Sequence, residues 1–319
     1  MKRTITNKNE YLSHCEVNRL PITDETEIEE FTLFGKKILV YNDKWMHHLH
    51  IKITDICNAK CAFCVEQNCI KDEQPEKAIS NIDKMIAEMK AQNLLYSVSV
   101  TGGEPTVFPY FTTLCAVLKK YDIPFVTMNT NGHFIDKFLP IIDETFDFIN
   151  ISRHSCDNEI NNQVFKTKVK TFEELKAIRK NMKHCKMRIQ CVIGSELNTI
   201  DDILNFMNVY SFADDFSFRR LMELNDEFGV DYNINHSNYF SILDYAFKNW
   251  TFKEQTIQDY YIYEIYNNGQ TDITFSYSDM KLTRNLEKQE KDNFFREFIC
   301  HPNGTISGSW KKDCKIILR

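Results

Sequence analysis

The sequence predicts an α/β fold, a partial (βα)6 TIM-like barrel with a short N-terminal extension and a C-terminal capping segment. Three observations carry that prediction. Strand-like and helix-like segments alternate from residue 47 to about 224, the pattern of βα units. Two-residue hairpin turns are missing between these strands, so crossovers join them and neighbours run parallel. Successive strands are also polar at every second residue and apolar at the others. A parallel sheet covered on both faces reads as continuous apolar runs, so the polar parity is expected to line a lumen while helices cover the apolar one. An antiparallel sheet with one wet face is the alternative reading of that alternation.

Taken in order, residues 1–46 are an N-terminal extension, polar and acidic around ITDETEIEE and ending in a strand-like FGKKILVY. Within the barrel core, 47–224, strands are expected at 48–54, 96–101, 124–130, 147–152, 187–193 and 215–224. Their polar parity reads His50, Lys52 and Thr54, then Ser97, Ser99 and Thr101, then Thr127 and Asn129, Asn150 and Ser152, and Arg188 and Gln190. Over 77–92 the apolar residues Ile79, Ile82, Ile86 and Met89 recur at helical spacing. Pro109 is expected to open a second helix, where its missing N–H costs little, and Thr171 with Glu174 makes a capping box for a third. After 225 the rhythm stops. A helix-like NYFSILDYAFKNW, a Tyr-rich stretch and a hairpin turning at Asn303-Gly304 make residues 225–319 a helical and hairpin cap.

Composition bounds the function. At 319 residues, 43% hydrophobic and 26% charged, the chain can bury a sizeable core and is not disordered. A net charge of −6 argues against a nucleic-acid binder held by a basic surface. No apolar run is long enough to span a bilayer and the N-terminus lacks a signal-peptide core, so a cytoplasmic protein without a membrane partner is expected. Eleven cysteines, an odd count, point to metal ligation or reactive thiols rather than a disulfide framework.

The chemistry sits directly after the first strand, in CNAKCAFC. Cys57, Cys61 and Cys64 can bind three corners of an iron–sulfur cube and leave the fourth iron without a protein ligand. Thiolates also bind zinc, and Cys69 lies close enough in sequence to complete a four-cysteine site.

This loop, with the aromatic Phe63 before its last cysteine, resembles the radical S-adenosylmethionine (radical SAM) superfamily. Thr101-Gly102-Gly103-Glu104-Pro105, at the end of the second strand, is similar to that superfamily's GGEP motif. Both motifs sit at the carboxyl ends of adjacent strands, where open α/β sheets bind ligands. Thr130-Asn131-Gly132, RIQCVIGSELNTIDDILNF and FRRLMEL narrow the resemblance to the branch of the molybdopterin-pathway cyclase and peptide-maturing enzymes. It covers roughly residues 48–224.

The resemblance implies a [4Fe–4S] cluster and S-adenosylmethionine (SAM) as cofactors. In that family SAM chelates the open iron, and one electron from the reduced cluster cleaves SAM to methionine and a 5′-deoxyadenosyl radical. The radical takes a hydrogen atom from a substrate in the lumen. A flavodoxin- or ferredoxin-type electron donor follows from the same likeness. On the matching positions, Phe63 is a cofactor-binding candidate. Gly102 and Gly103 would let the backbone approach the SAM amino group, and Glu104 would accept a hydrogen bond from it. Asn129 and Ser152 are candidates for the ribose hydroxyls and Arg220 for the carboxylate, with Glu223 at a further matching position.

Where the branch carries Ser-x-Asp after strand four, this chain has Ser152-Arg153-His154. His154 is then a candidate substrate contact or proton donor, able to change protonation near neutrality. Cys156 in the same loop is a candidate hydrogen-atom donor to a product radical, as in some peptide epimerases. An auxiliary iron–sulfur cluster would need Cys300 and Cys314 plus a distant residue such as Cys15; the other reading is a plain hairpin with two thiols. His50, Lys52 and Arg188 would make the lumen cationic, which suits a small anionic metabolite as substrate. The alternatives are maturation of a ribosomally made peptide, by epimerisation or cross-linking, and a non-catalytic iron–sulfur or zinc-binding protein.

Overall fold

The structure, a computed structural model, describes residues 2–17, 28–64, 71–194, 197–221, 237–258, 261–279, 282, 285 and 291–319. The six expected barrel strands form as β1 (His48–Lys52), β2 (Ser97–Thr101), β3 (Phe125–Thr130), β4 (Phe148–Ser152), β5 (Lys186–Ile193) and β6 (Asp215–Arg220). They pair in that order and all parallel. Helices Pro75–Ala91, Phe111–Lys119, Leu139–Thr145, Phe172–Asn181 and Ile200–Val209 lie between them. The Thr171 capping box is realised: its hydroxyl accepts the Glu174 N–H at 3.3 Å, and the Glu174 carboxylate accepts the Thr171 N–H at 2.8 Å. Pro109 does not open its helix, which begins at Phe111; Pro105 instead leads a short 3-10 turn, Pro105–Val107.

The two parities separate as expected. Leu49, Ile51, Val98, Val100, Met128, Ile149, Ile151, Met187 and Ile189 are all fully buried and form one core with Ile82, Ile86 and Met89 of the first crossover helix. Each such side chain contributes about 1.5–3 kcal/mol on leaving water, so this layer holds the helices to the sheet. On the other face, adjacent strands place polar residues side by side: Lys52 beside Thr101, Asn129 beside Asn150, Asn150 beside Arg188 and Arg188 beside Asp215.

The C-terminal residues do more than cap. Helix Ser237–Asn249 is followed by strands Thr251–Gln258, Tyr261–Asn267 and β7 (Asp272–Ser278), and β7 pairs parallel with β6. At the other edge β8 (Phe298–Cys300) pairs parallel with β1, then turns through Gly304, at φ +80°, into an antiparallel strand. Among the described residues the parallel run is thus eight strands, in the order β7-β6-β5-β4-β3-β2-β1-β8. The reason lies in TFKEQTIQ, YIYEIYN and DITFSYS, rich in β-branched and aromatic residues that favour strands, with YIYEIYN alternating buried and half-buried positions. Lys2–Ile5 extends the same sheet by pairing with Thr251–Gln258.

Candidate active site

The end of β2 lies directly against the chain that leaves β1. The Gly103 N–H donates to the Thr54 carbonyl at 2.7 Å and the Glu104 N–H to the Ile56 carbonyl at 2.9 Å. A Cβ on Gly102, at φ +141°, would sit 2.4 Å from the Thr54 oxygen, and one on Gly103 would sit 2.2 Å from the Ile56 oxygen. The close approach that requires glycine is therefore, in this structure, to the backbone entering Cys57.

Glu104 is wholly buried and takes four donors from the chain itself. One carboxylate oxygen accepts from the Thr106 N–H at 3.1 Å and from the Thr106 and Thr130 hydroxyls at 2.5 and 2.7 Å. The other accepts the Asn131 N–H at 2.7 Å. The Glu104 carboxylate thereby joins the end of β2 to the end of β3. Asn131 carries the connection onward, since its side-chain N–H lies 2.7 Å from Asn58 Oδ1 and 3.8 Å from Cys57 Sγ. The Arg153 guanidinium, also wholly buried, donates to the carbonyls of Asn131, Ser152 and Lys170.

The three cysteines stand on this platform, half-buried and reduced. Cys57 Sγ accepts the Ala59 N–H at 3.3 Å, and the Cys64 N–H donates to the Cys61 carbonyl at 3.1 Å. Burial and the neighbouring sulfurs push the Cys61 thiol up to about 12 and raise Cys57 as well. To bind a metal these thiols would have to give up their protons to the cation. No three metal-ligating side chains among the described residues converge on one ion position, and Cys69, the fourth ligand of the zinc reading, lies outside them. Sulfurs that each take a different iron of a cube have no need to converge. The residues present therefore fit a three-cysteine [4Fe–4S] site. On the inner face nearby, the buried Asn150 Oδ1 has no hydrogen-bond partner, an acceptor available to a ligand hydroxyl or amine.

Residues 51–207 match the radical SAM superfamily. They are a radical SAM domain. Its cofactors are a [4Fe–4S] cluster and SAM, and a Streptococcus suis neighbour, SuiB, was solved with SAM bound; it shares the fold at a TM-score of 0.58 and 18% identity, over 82% of this chain and 60% of that one. Among curated proteins, the probable GTP 3′,8-cyclase of Sulfurisphaera tokodaii is 27% identical over 165 residues, covering 50% of this chain and 51% of that protein. The GTP 3′,8-cyclase of Psychromonas ingrahamii is 26% identical over 245 residues, covering 71% and 70%. The chain spans about half the length of the first curated relatives it matches.

Around the radical SAM motifs, several expected site residues take other roles. His154 is buried between Phe63 and Phe165, and its Nδ1 accepts the Val192 N–H at 3.2 Å. Burial and the Arg153 charge hold its pKa down to about 3, which favours the neutral imidazole near pH 7. Phe63 correspondingly packs on His154, which anchors the cysteine loop to the β4 end. Cys156, half-buried in the same loop, accepts from Asn205 of the helix Ile200–Val209 at 3.4 Å. Arg220 shares parity with Phe216 and Phe218, which pack on Phe206 of that helix, and its guanidinium rests over Phe240 and Tyr277. It therefore faces the helical layer and not a carboxylate in the lumen. Glu223 lies outside the described residues.

The cationic lumen is also corrected. Lys52 pairs with Asp55 at 2.8 Å, Arg188 with Asp215 through two bonds of 2.5 and 2.8 Å, and His50 with Glu297 at 3.2 Å. Lys52 and Arg188 thus each have a carboxylate at hand, which offsets their charge locally, and the His50 ring lies against Glu297. Cys300 is buried in the apolar core opposite Ile51, while Cys314 and Cys15 are exposed, so the residues named for an auxiliary cluster are not brought together by anything the structure shows. Asn129 and Ser152 keep the inner parity, with Asn129 Oδ1 accepting from Asn150 at 3.0 Å.

Sequence reasoning missed four residues. Asn131 was visible only as part of a motif. Asp215 and Arg219 alternate with Phe216 and Phe218, a parity that would have placed both on the inner face. Arg219 makes no ion pair or hydrogen bond among the described residues. Glu297 comes from a segment read as a cap, and no local signal connects it to His50.

Proposed function

We propose that this chain is a radical SAM enzyme that holds its cluster on Cys57, Cys61 and Cys64 and acts on a small polar substrate with an anionic group, which Arg219 receives inside the lumen. The observation that carries the reading is the seating of the cysteine loop: the Gly102–Glu104 turn and Asn131 fix it at the carboxyl end of a sheet whose inner face is polar. When bound, the cluster and SAM supply reductive cleavage of SAM and, through it, a radical that removes a hydrogen atom from substrate.

The chain's own contribution is positional. Gly102 and Gly103 set the loop height, Glu104 and Arg153 lock the ends of β3 and β4, and the inner-face Asn150 and Ser152 offer hydrogen bonds to a ribose. Among the described residues Arg219 has no carboxylate partner, so on this reading its charge is left for substrate. The electron is supplied, on this reading, by a flavodoxin- or ferredoxin-type partner.

Anaerobic reconstitution tests the proposal. About four irons per chain, with methionine and 5′-deoxyadenosine formed on reduction in the presence of SAM, are expected. A reconstituted protein that binds iron but never cleaves SAM overturns the enzyme reading.

A further inference from the structure

We infer that Asn58 and Asn131 form a carboxamide pair that donates N–H groups to the sulfur shell of the iron–sulfur centre and raises its reduction potential. The inference rests on the ligand set proposed above and concerns two residues that hold no iron themselves.

The hydrogen bonds fix which way each amide points. The Asn131 backbone N–H is held by Glu104 at 2.7 Å, and its side-chain Oδ1 accepts the His133 N–H at 3.0 Å. Its Nδ2 therefore faces the cysteine loop, 2.7 Å from Asn58 Oδ1 and 3.8 Å from Cys57 Sγ. With its oxygen so occupied, Asn58 is left with a buried Nδ2 that has no hydrogen-bond partner. A buried amide N–H without a partner costs stability, and such groups in native structures call for an explanation, a bound ligand among them.

Asn58 directly follows Cys57, and its amide oxygen lies 4.0 Å from Cys57 Sγ, so the acceptor we assign to its Nδ2 is a sulfur of the bound centre. Cys57 Sγ already takes the Ala59 N–H at 3.3 Å and the Asn131 amide, and as a thiol it lies 4.0 Å from Asn58 Oδ1 as a weak donor. As an iron ligand that sulfur is deprotonated and becomes an acceptor only, so the N–H groups around it become its partners. Donors of this kind favour the more electron-rich, reduced cluster, and hydrogen bonds to sulfur are among the terms that set cluster potentials. Asn58 and Asn131 are thus positioning residues that act through Cys57, and they supply the part of the sulfur shell that side-chain substitution can remove.

The test is an EPR-monitored redox titration of the reconstituted protein without SAM, with iron and sulfide measured on each sample. Asn58→Leu and Asn131→Leu are compared with wild type and with Asn205→Leu, whose amide bonds the remote Cys156. The expected result is full iron with a midpoint potential shifted negative in both loop variants and unmoved in Asn205→Leu. Asn58→Gln, which keeps a carboxamide, should recover part of the shift. Wild-type potentials in iron-replete Asn58→Leu and Asn131→Leu overturn the inference. Should the leucine variants lose iron, Asn58→Ser and Asn131→Ser replace them under the same criterion. Iron loss from those too overturns it, by making the pair a folding element. Failure of the ligand reading looks different: Cys57→Ala/Cys61→Ala/Cys64→Ala would keep its iron.

Discussion

The ring of Phe63 meets that of His154 edge-on at a centroid distance of 5.0 Å, and Phe165 stacks on the other side of the imidazole at 5.2 Å. This contact keys the cysteine loop to the loop after β4, and it makes His154 a reporter of folding. Its folded pKa lies near 3 against 6.5 unfolded, so the unfolded chain binds more protons between those values. His154 therefore contributes stability that is fully present above pH 6.5 and lost as pH falls toward 3. His301, held down to about 4 by burial, adds in the same sense. Denaturant titrations should lose about 1.4 kcal/mol per pH unit per such histidine across the window. His154→Gln should reduce that slope, and an unchanged slope would contradict the assignment.

Glu104→Gln places an amide donor among groups that already donate to the carboxylate. A loss of about 2 kcal/mol is expected in the apo-protein, from one donor left without an acceptor. Thermal denaturation before any reconstitution measures it, and a wild-type Tm would show that the four bonds are not formed.

Gly102→Ala and Gly103→Ala bring a methyl within 2.4 and 2.2 Å of the Thr54 and Ile56 carbonyl oxygens. The two backbones must part, and Cys57 moves with them. Iron per reconstituted chain should fall well below wild type while the titratable thiol count stays the same.

Arg188→Gln leaves Asp215 without its two charge-assisted bonds, so stability should fall by about 1.5–3 kcal/mol. Adding Asp215→Asn should restore most of the loss. A double variant no better than the single one would mean that the pair is not coupled.

Arg219→Gln separates substrate from cofactor. Inorganic pyrophosphate is expected to raise the Tm of the reconstituted wild type and not that of the variant, while uncoupled 5′-deoxyadenosine formation is the same in both. Equal stabilisation of both proteins would remove Arg219 as the anion contact. The peptide-substrate reading would then come first.

The β1–β6 strands, the capping box at Thr171 and the Gly304 turn were legible because each is decided by neighbours in sequence: a period of two, a hydroxyl three residues from a carboxylate, a residue free to take positive φ. The cysteine spacing and GGEP were legible for the same reason. The Tyr-rich stretch misled because the βα rhythm stops there, although its own alternation was that of strands. Parity would also have placed Arg220 on the helical side and Arg219 on the inner face, had the buried Phe216 and Phe218 been used to set the register.

The sequence by itself determined the barrel, its polar inner face and the three-thiol loop, since these follow from periodicity and spacing along one segment. Only the tertiary structure decided which charges are spent. Asp215 reaches Arg188 from a neighbouring strand, and Glu297 reaches His50 from the far C-terminal part of the chain. Asn131 is turned onto Cys57 by a carboxylate at the end of another strand. Pairing of this kind depends on atoms brought within about 3 Å by the sheet register, and a one-residue slip would turn every one of those side chains to the other face.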